Sequence, residues 1–401
     1  MAIAMNSKFY ITTYLLLLIS LGYVATDIYL PSLPALSVYF HASDNEVQMT
    51  LFSYLLSFSL APLVFGPLSD HMGRKKILLV GVAIGTLATF GCLFAQNIIW
   101  LIISRFLQGI GMGAVLISSR AAVSDLFTGK ALAKQWSFMT MLMPLILAIA
   151  PTIGGVLQQN FQWQAVFIFL ICYMLLVLIC VALTPESLKN PSNEKASQIF
   201  SKYRSHLKNR LFLIFGVNYV LPSLGFFAYL TVSPFLFQEI IGLSPVAYGS
   251  LALYVGGTIL VTGYINLKLV HHFLVTQILY LGASLIVLAG CLLIFFHIAD
   301  ILTTWSLLFP SLIFFTCMPL CVANAASKSL SLVHSNFGAA TALLTTIQFL
   351  VGALGSFIFS LISDETALSL AICFIFIGAL SLINLKYACK LEKSLETKTK
   401  T

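Results

Sequence analysis

The chain has 401 residues, of which 59% are hydrophobic and 8% are Asp, Glu, Lys or Arg. A water-soluble domain carries roughly 25% charged residues, so this composition excludes a soluble enzyme, a nucleic-acid-binding protein and a disordered chain. The net charge of +8 has to be read from where the charges sit.

A helix crossing a bilayer needs about 20 apolar residues. Runs of that kind fall at 11–34, 47–68, 77–96, 99–121, 137–157, 164–184, 212–233, 246–267, 275–296, 305–327, 340–361 and 367–388. Backbone amides in lipid must pair within their own segment, so these runs predict helices. A membrane β-barrel would show short alternating segments instead. The expected fold class is therefore all-α integral membrane. The N-terminal run is too long for the apolar core of a secretory signal.

An even number of spans places both termini on one side. If that side is cytoplasmic, all of the 21 Lys and Arg except Arg105 and Arg120 lie in cytoplasmic segments or, for Lys386, at the cytoplasmic end of the last run. The outer connections carry Asp44, Glu46, Glu239, Asp300, Asp364 and Glu365 instead. The basic balance is thus a topology signal, and no nucleic-acid partner is expected. The cysteines show no ligand spacing and read as small packing residues, so neither a metal nor a cofactor is expected.

Span 1 contains Asp27, the one acid within a span interior. With the helix running to Pro34, Asp27 lies about 10 Å below the outer end at 1.5 Å per residue. If the span ends near Tyr29, it is an interfacial residue instead. No histidine occupies a span centre, which leaves Asp27 as the candidate proton carrier. Between spans 2 and 3 the chain reads Gly66-Pro-Leu-Ser-Asp70-His-Met-Gly73-Arg74-Lys75-Lys76. Gly73 can take a positive φ in the turn, Gly66 is expected to allow close helix approach, and Asp70 can pair with a basic neighbour or a helix N-terminus.

Span 4 reads Arg105-Phe-Leu-Gln108-Gly109-Ile-Gly111-Met-Gly113. An arginine about 10 Å deep is costly in lipid and is expected to face the interior, at the depth of Asp27. The pair would loosen when Asp27 takes up a proton. Gly109 and Gly113 allow a partner helix to approach. Arg120 and Asp125 read as a snorkelled interfacial pair. Span 5 holds Pro144, Ala150, Pro151, Gly154 and Gly155, the pattern of a kinked and closely packed helix.

The hydrophilic stretch 185–211 is basic, with Pro185 and Pro191. It divides the chain into a bundle over 1–184 and a bundle over 212–388, with a tail at 389–401. Two six-helix halves joined by a cytoplasmic linker are the organisation of transporters that work by alternating access.

These motifs carry a resemblance. Gly66 to Lys76 is similar to the GxLxDxxGRKK signature of the major facilitator superfamily. Arg105 to Gly111 resembles the RxxQGxG motif of its drug/proton antiporters. The span 5 segment resembles the family's antiporter motif, with Ala150 in the form typical of the bicyclomycin-resistance (Bcr/CflA) branch. The exits of spans 1 and 7, the entry of span 6 and the span 10–11 region look like the same branch. The resemblance implies a monomeric, proton-coupled exporter of drugs or other small amphipathic molecules in the cytoplasmic (inner) membrane. An exporter of an endogenous metabolite such as a siderophore, amino acid or sugar would use the same machinery, and a nutrient symporter is disfavoured by span 5. A cavity for amphipathic cargo should mix aromatic faces with a few polar groups. Candidates are Tyr23, Tyr54, Phe58, Gln108, Asn218, Phe226, Tyr229, Tyr254, Asn324 and Gln348.

Overall fold

The computed structural model describes residues 8–188, 204, 206–333, 337–361 and 367–400. Lys189, Pro191, Lys195 and Lys202 of the linker, and the outer acids Asp364 and Glu365, lie outside the described residues.

Helix α1 covers Lys8–Asp27. Pro31 and Pro34 lack an amide proton, and the chain tightens around Pro31 to a 3-10 turn, Leu30–Ser32, before α2, Leu33–Phe40, which holds Pro34 in its first turn. The apolar segment thus runs on past Asp27, and Ile28, Tyr29 and Leu30 are buried. Helix α3 is Asp44–Met72 and α4 is Arg74–Leu93. Ser43 and Glu46 form a reciprocal cap at the start of α3, which satisfies amides that have no partner within the helix. Helix α5, Ile98–Leu126, is capped by Asn97, whose Oδ1 accepts from the Trp100 amide at 2.8 Å.

Helix α6 extends over Gly129–Leu183, but Gln162 at φ +66° and ψ 174° is not helical. It divides α6 into 129–161 and 163–183, the predicted spans 5 and 6. Eleven helices among the described residues are long and apolar enough to cross a membrane, with α6 counted once. Counting its two parts gives the twelve crossings expected from the runs.

In the second half, α7 is Arg210–Phe235, extended by a π-helical turn at Leu236–Ile240. Helix α8 is Pro245–His272 and α9 is Val275–Ile298. Helix α10, Thr304–Phe315, continues through a π-helical segment, Met318–Ala323, into α11, Asn324–Ser331. Helices α12, Phe337–Leu361, and α13, Ala367–Lys400, complete the chain.

The chain divides into two compact units. The first comprises Met1–Glu194 with Ser244–Leu253, and the second comprises Lys195–Leu243 with Tyr254–Thr401. In the first unit α5 is central, packed against α1, α3 and α4. A Cβ on Gly113 would come within 2.7 Å of the Ala61 Cβ and the Phe58 carbonyl oxygen, so α3 and α5 meet backbone to backbone there. Gly66 departs from expectation. A Cβ there would meet only the Ile117 side chain at 3.6 Å, an ordinary contact, so close approach does not require this glycine. At one edge of the unit Trp163 is buried, with Tyr39, Phe40 and Phe167 at ring distances of 5.1, 5.7 and 5.9 Å.

In the second unit α7 packs on α12 and α9 on α13. Phe314 and Phe374 stack at 4.0 Å with their planes 5° apart.

Candidate functional site in the first unit

Arg105 is fully buried, on α5, where lipid or solvent could not offset its charge. Its guanidinium carbon sits 4.4 Å from the Tyr29 ring centre and 4.2 Å from that of Tyr54. The cation is therefore sandwiched between two π faces, which attract it most strongly when water is excluded. Nη1 donates to the Ala25 carbonyl at 3.1 Å and to Gln108 Oε1. Nε and Nη2 are buried without a hydrogen-bond acceptor.

The supporting groups are themselves fixed. Gln108 Nε2 donates to Thr89 Oγ1 at 2.8 Å, and that hydroxyl donates to the Gly85 carbonyl. The Tyr54 hydroxyl donates to the Gly22 carbonyl at 2.7 Å, and the Tyr29 and Thr50 hydroxyls bond each other. Tyr54 stacks on Phe58, which meets Tyr23 edge-on. Sequence reasoning placed Tyr54, Phe58 and Gln108 here and missed Tyr29, Thr50 and Thr89.

Asp27 is the last residue of α1 and only 5% exposed. It is buried rather than interfacial. It forms no ion pair with Arg105, which corrects the expected link. The Arg105 guanidinium is turned to the Ala25 carbonyl and the two rings instead.

The signature between α3 and α4 forms a second cluster. Gly73 has φ +98°, a conformation that favours glycine. Arg74, at the start of α4, pairs with Asp70 at the end of α3, donates from Nε to Asp125 Oδ2 at 2.8 Å, and reaches Ser69 Oγ at 3.1 Å. Asp125 is thus the partner of Arg74 and not of Arg120, which overturns the interfacial pair. Glu186, which sequence reasoning missed, accepts from the Arg74 and Lys75 amides at 3.0 and 3.1 Å. A carboxylate at the N-terminus of α4 satisfies amides that have no helical acceptor and faces the positive end of the helix dipole.

The span 5 motif lies on α6. Ala150 and Pro151 are buried. A Cβ on Gly154 would fall on the Ile28 carbonyl, and one on Gly155 on the Pro245 carbonyl. Thr152 Oγ1 donates to the Gly249 carbonyl at 3.1 Å, so the start of α8 lies directly on this face. Gly154→Ala is expected to destabilise the protein by about 1–3 kcal/mol through overpacking. The check is the melting temperature in detergent, and no change would show that the Ile28 contact does not constrain the fold. Pro144 lies on the same helix, seven residues before Pro151.

In the second unit the polar candidates are separately bonded, Asn218 and Asn324 buried and Gln348 half-buried. Asn324 Nδ2 donates to Asn266 Oδ1 at 2.7 Å and to the Leu320 carbonyl at 3.0 Å, one of the acceptors in the π-helical segment. Asn218 Nδ2 donates to the Ile214 carbonyl, and Gln348 Oε1 accepts from Tyr219. Phe226 and Tyr229 both pack edge-on against Phe315. Tyr254 keeps much of its surface. It is 50% exposed and pairs with exposed Trp305 on a stripe of α8 that also shows Val261, Tyr264 and Ile265. Among the described residues no group of His, Cys, Asp and Glu could hold a metal.

Twelve apolar crossings in two helical units, with a buried arginine, a buried carboxylate and a charged hairpin turn, define a polytopic membrane transporter. Residues 15–356 match the Major Facilitator Superfamily, and the chain belongs to that family. It is therefore a transporter rather than an enzyme, and a multi-pass protein of the cytoplasmic membrane. It is 33% identical over 250 residues to an uncharacterized MFS-type transporter, YdgK, of Bacillus subtilis, a match spanning 61% of each chain. It is 26% identical over 352 residues to a bicyclomycin resistance protein homolog of Haemophilus influenzae, covering 85% of this chain and 86% of that one. Multidrug resistance protein D of Escherichia coli is 25% identical over 308 residues, covering 75% and 76%. A solved D-xylose-proton symporter superposes with a TM-score of 0.74 over 95% of this chain and 97% of that one, at 15% identity. At that identity the likeness concerns the fold alone.

Proposed function

We propose that this transporter is a proton-coupled antiporter that exports drugs or other small amphipathic molecules by alternating access, acting as a monomer. The observation that carries the reading is the interior of the first unit, where Asp27 is a buried carboxylate with no ion pair among the described residues, on the segment whose Ala25 carbonyl and Tyr29 ring hold the buried Arg105 guanidinium. Of these two groups only the carboxylate can exchange a proton, because arginine stays charged. Loss or gain of that proton changes the charge inside the unit by one.

In the proposed cycle Asp27 takes up a proton from outside and gives it up inside in exchange for cargo. The network around Arg74 holds the cytoplasmic connection of α3 and α4 in the resting arrangement. Relatives named for multidrug and bicyclomycin resistance support the cargo class. The half-buried aromatic ring of Tyr23 suits amphipathic molecules.

Respiring everted membrane vesicles, acid inside, test this directly. Fluorescent drugs should accumulate within them and leak out when a protonophore is added. Accumulation that ignores the protonophore would remove proton coupling, and cargo moving with protons would make the protein a symporter. If overexpression changes no drug susceptibility but raises secretion of an endogenous metabolite, the metabolite exporter is the better reading.

A further inference from the structure

We propose that Arg120, with Tyr23, recognises an oxyanion on the cargo, so that this transporter selects amphipathic molecules bearing a carboxylate or sulfonate. The inference rests on the efflux reading for the word cargo and deepens it by giving the cargo a charge.

Arg120 lies in α5 six residues before its inner end at Leu126, about 9 Å along the axis at 1.5 Å per residue. A guanidinium at that depth calls for a counter-charge. Among the described residues no carboxylate pairs with it. Asp70 and Asp125 hold Arg74, and Glu186 holds the first amides of α4. Arg120 keeps a single hydrogen bond, from Nη2 to the Tyr23 hydroxyl at 3.1 Å, and its Nε is buried without an acceptor.

Both Arg120 and Tyr23 are half-buried, so each retains reachable surface. The Tyr23 ring, braced edge-on by Phe58 at 6.4 Å, sets an aromatic face beside the cation. A guanidinium presents paired N–H groups in a fork that matches a carboxylate or sulfonate. The apolar body of such a molecule would lie against Tyr23. Arg105 and Arg120 against Asp27 also leave an excess of positive charge inside the first unit, which opposes cations and favours anions.

The test is thermal stabilisation of the purified protein in neutral detergent by three matched probes: 2-naphthoate, 2-naphthylmethylamine and 2-naphthol. Saturable stabilisation by naphthoate, absent with the amine, is expected. Arg120→Gln should weaken naphthoate by about tenfold or more, the worth of a charge-assisted hydrogen bond, and leave naphthol unchanged. Tyr23→Phe should retain naphthoate. If the Gln variant does not fold, Arg120→Lys keeps the charge without the fork and should weaken naphthoate several-fold. No response to naphthoate, an equal response to all three probes, or wild-type naphthoate affinity in the folded Arg120 variant would overturn the proposal. So would phosphatidylglycerol replacing naphthoate in an Arg120-dependent way, since the guanidinium would then serve a lipid headgroup. Naphthoate binding without proton-dependent uptake into everted vesicles would support the oxyanion site while overturning export.

Discussion

Asp27→Asn should abolish proton-driven export while leaving the protein folded and in the membrane. The amide is nearly the same size as the carboxylate and carries no exchangeable charge at neutral pH. Asp27 has no ion pair among the described residues, so the substitution breaks no charge pairing seen there. Drug accumulation in everted vesicles should fall to the level of vesicles lacking the protein, with the melting temperature in detergent close to wild type. Cargo exchange down its own gradient should persist, because it needs no proton. Full proton-driven accumulation by Asp27→Asn would remove the residue from the coupling mechanism.

Arg105→Lys should reduce export by about tenfold or more, a loss matching one charge-assisted hydrogen bond of about 1.5–3 kcal/mol. The ammonium keeps the charge, but it lacks the plane that fits between Tyr29 and Tyr54 and the fork that reaches Ala25 and Gln108 together. Both rings and the Gln108 carbonyl would lose their shared partner. Initial rates in proteoliposomes, normalised to protein amount, read this effect. Wild-type rates in the lysine variant would mean that a point charge suffices.

Much of the fold was legible in the sequence because lipid leaves the backbone few choices. Continuous apolar runs and one-sided basic residues place the crossings. Asp70 in a short charged turn announces a basic neighbour as partner, and Arg74 is that partner. Arg120 and Asp125 show the limit of such reading. Five residues place two side chains about 140° apart around a helix of 3.6 residues per turn, and Asp125 faces another helix. Asp27 and Arg105 show a second limit, since the rise per residue gives their depth but not the direction of each side chain. The rings that hold Arg105 come from two other segments, and nothing local marks Tyr29 among 15 tyrosines. Glu186 is likewise 112 residues from the amide it meets. Gly66 was assigned close approach from residue type alone, though a Cβ there would meet only Ile117.

The burial of Trp163 gives the protein a built-in optical reporter. The chain has four tryptophans, of which Trp100 and Trp305 are well exposed and Trp163 is 3% exposed among Tyr39, Phe40 and Phe167. Indole emission shifts to longer wavelength when water reaches the ring. A variant retaining only Trp163 would therefore signal hydration beside Gln162, where the two parts of α6 meet, as a change of colour during turnover. The same structural detail that closes this edge of the unit thus makes its opening visible without an attached dye.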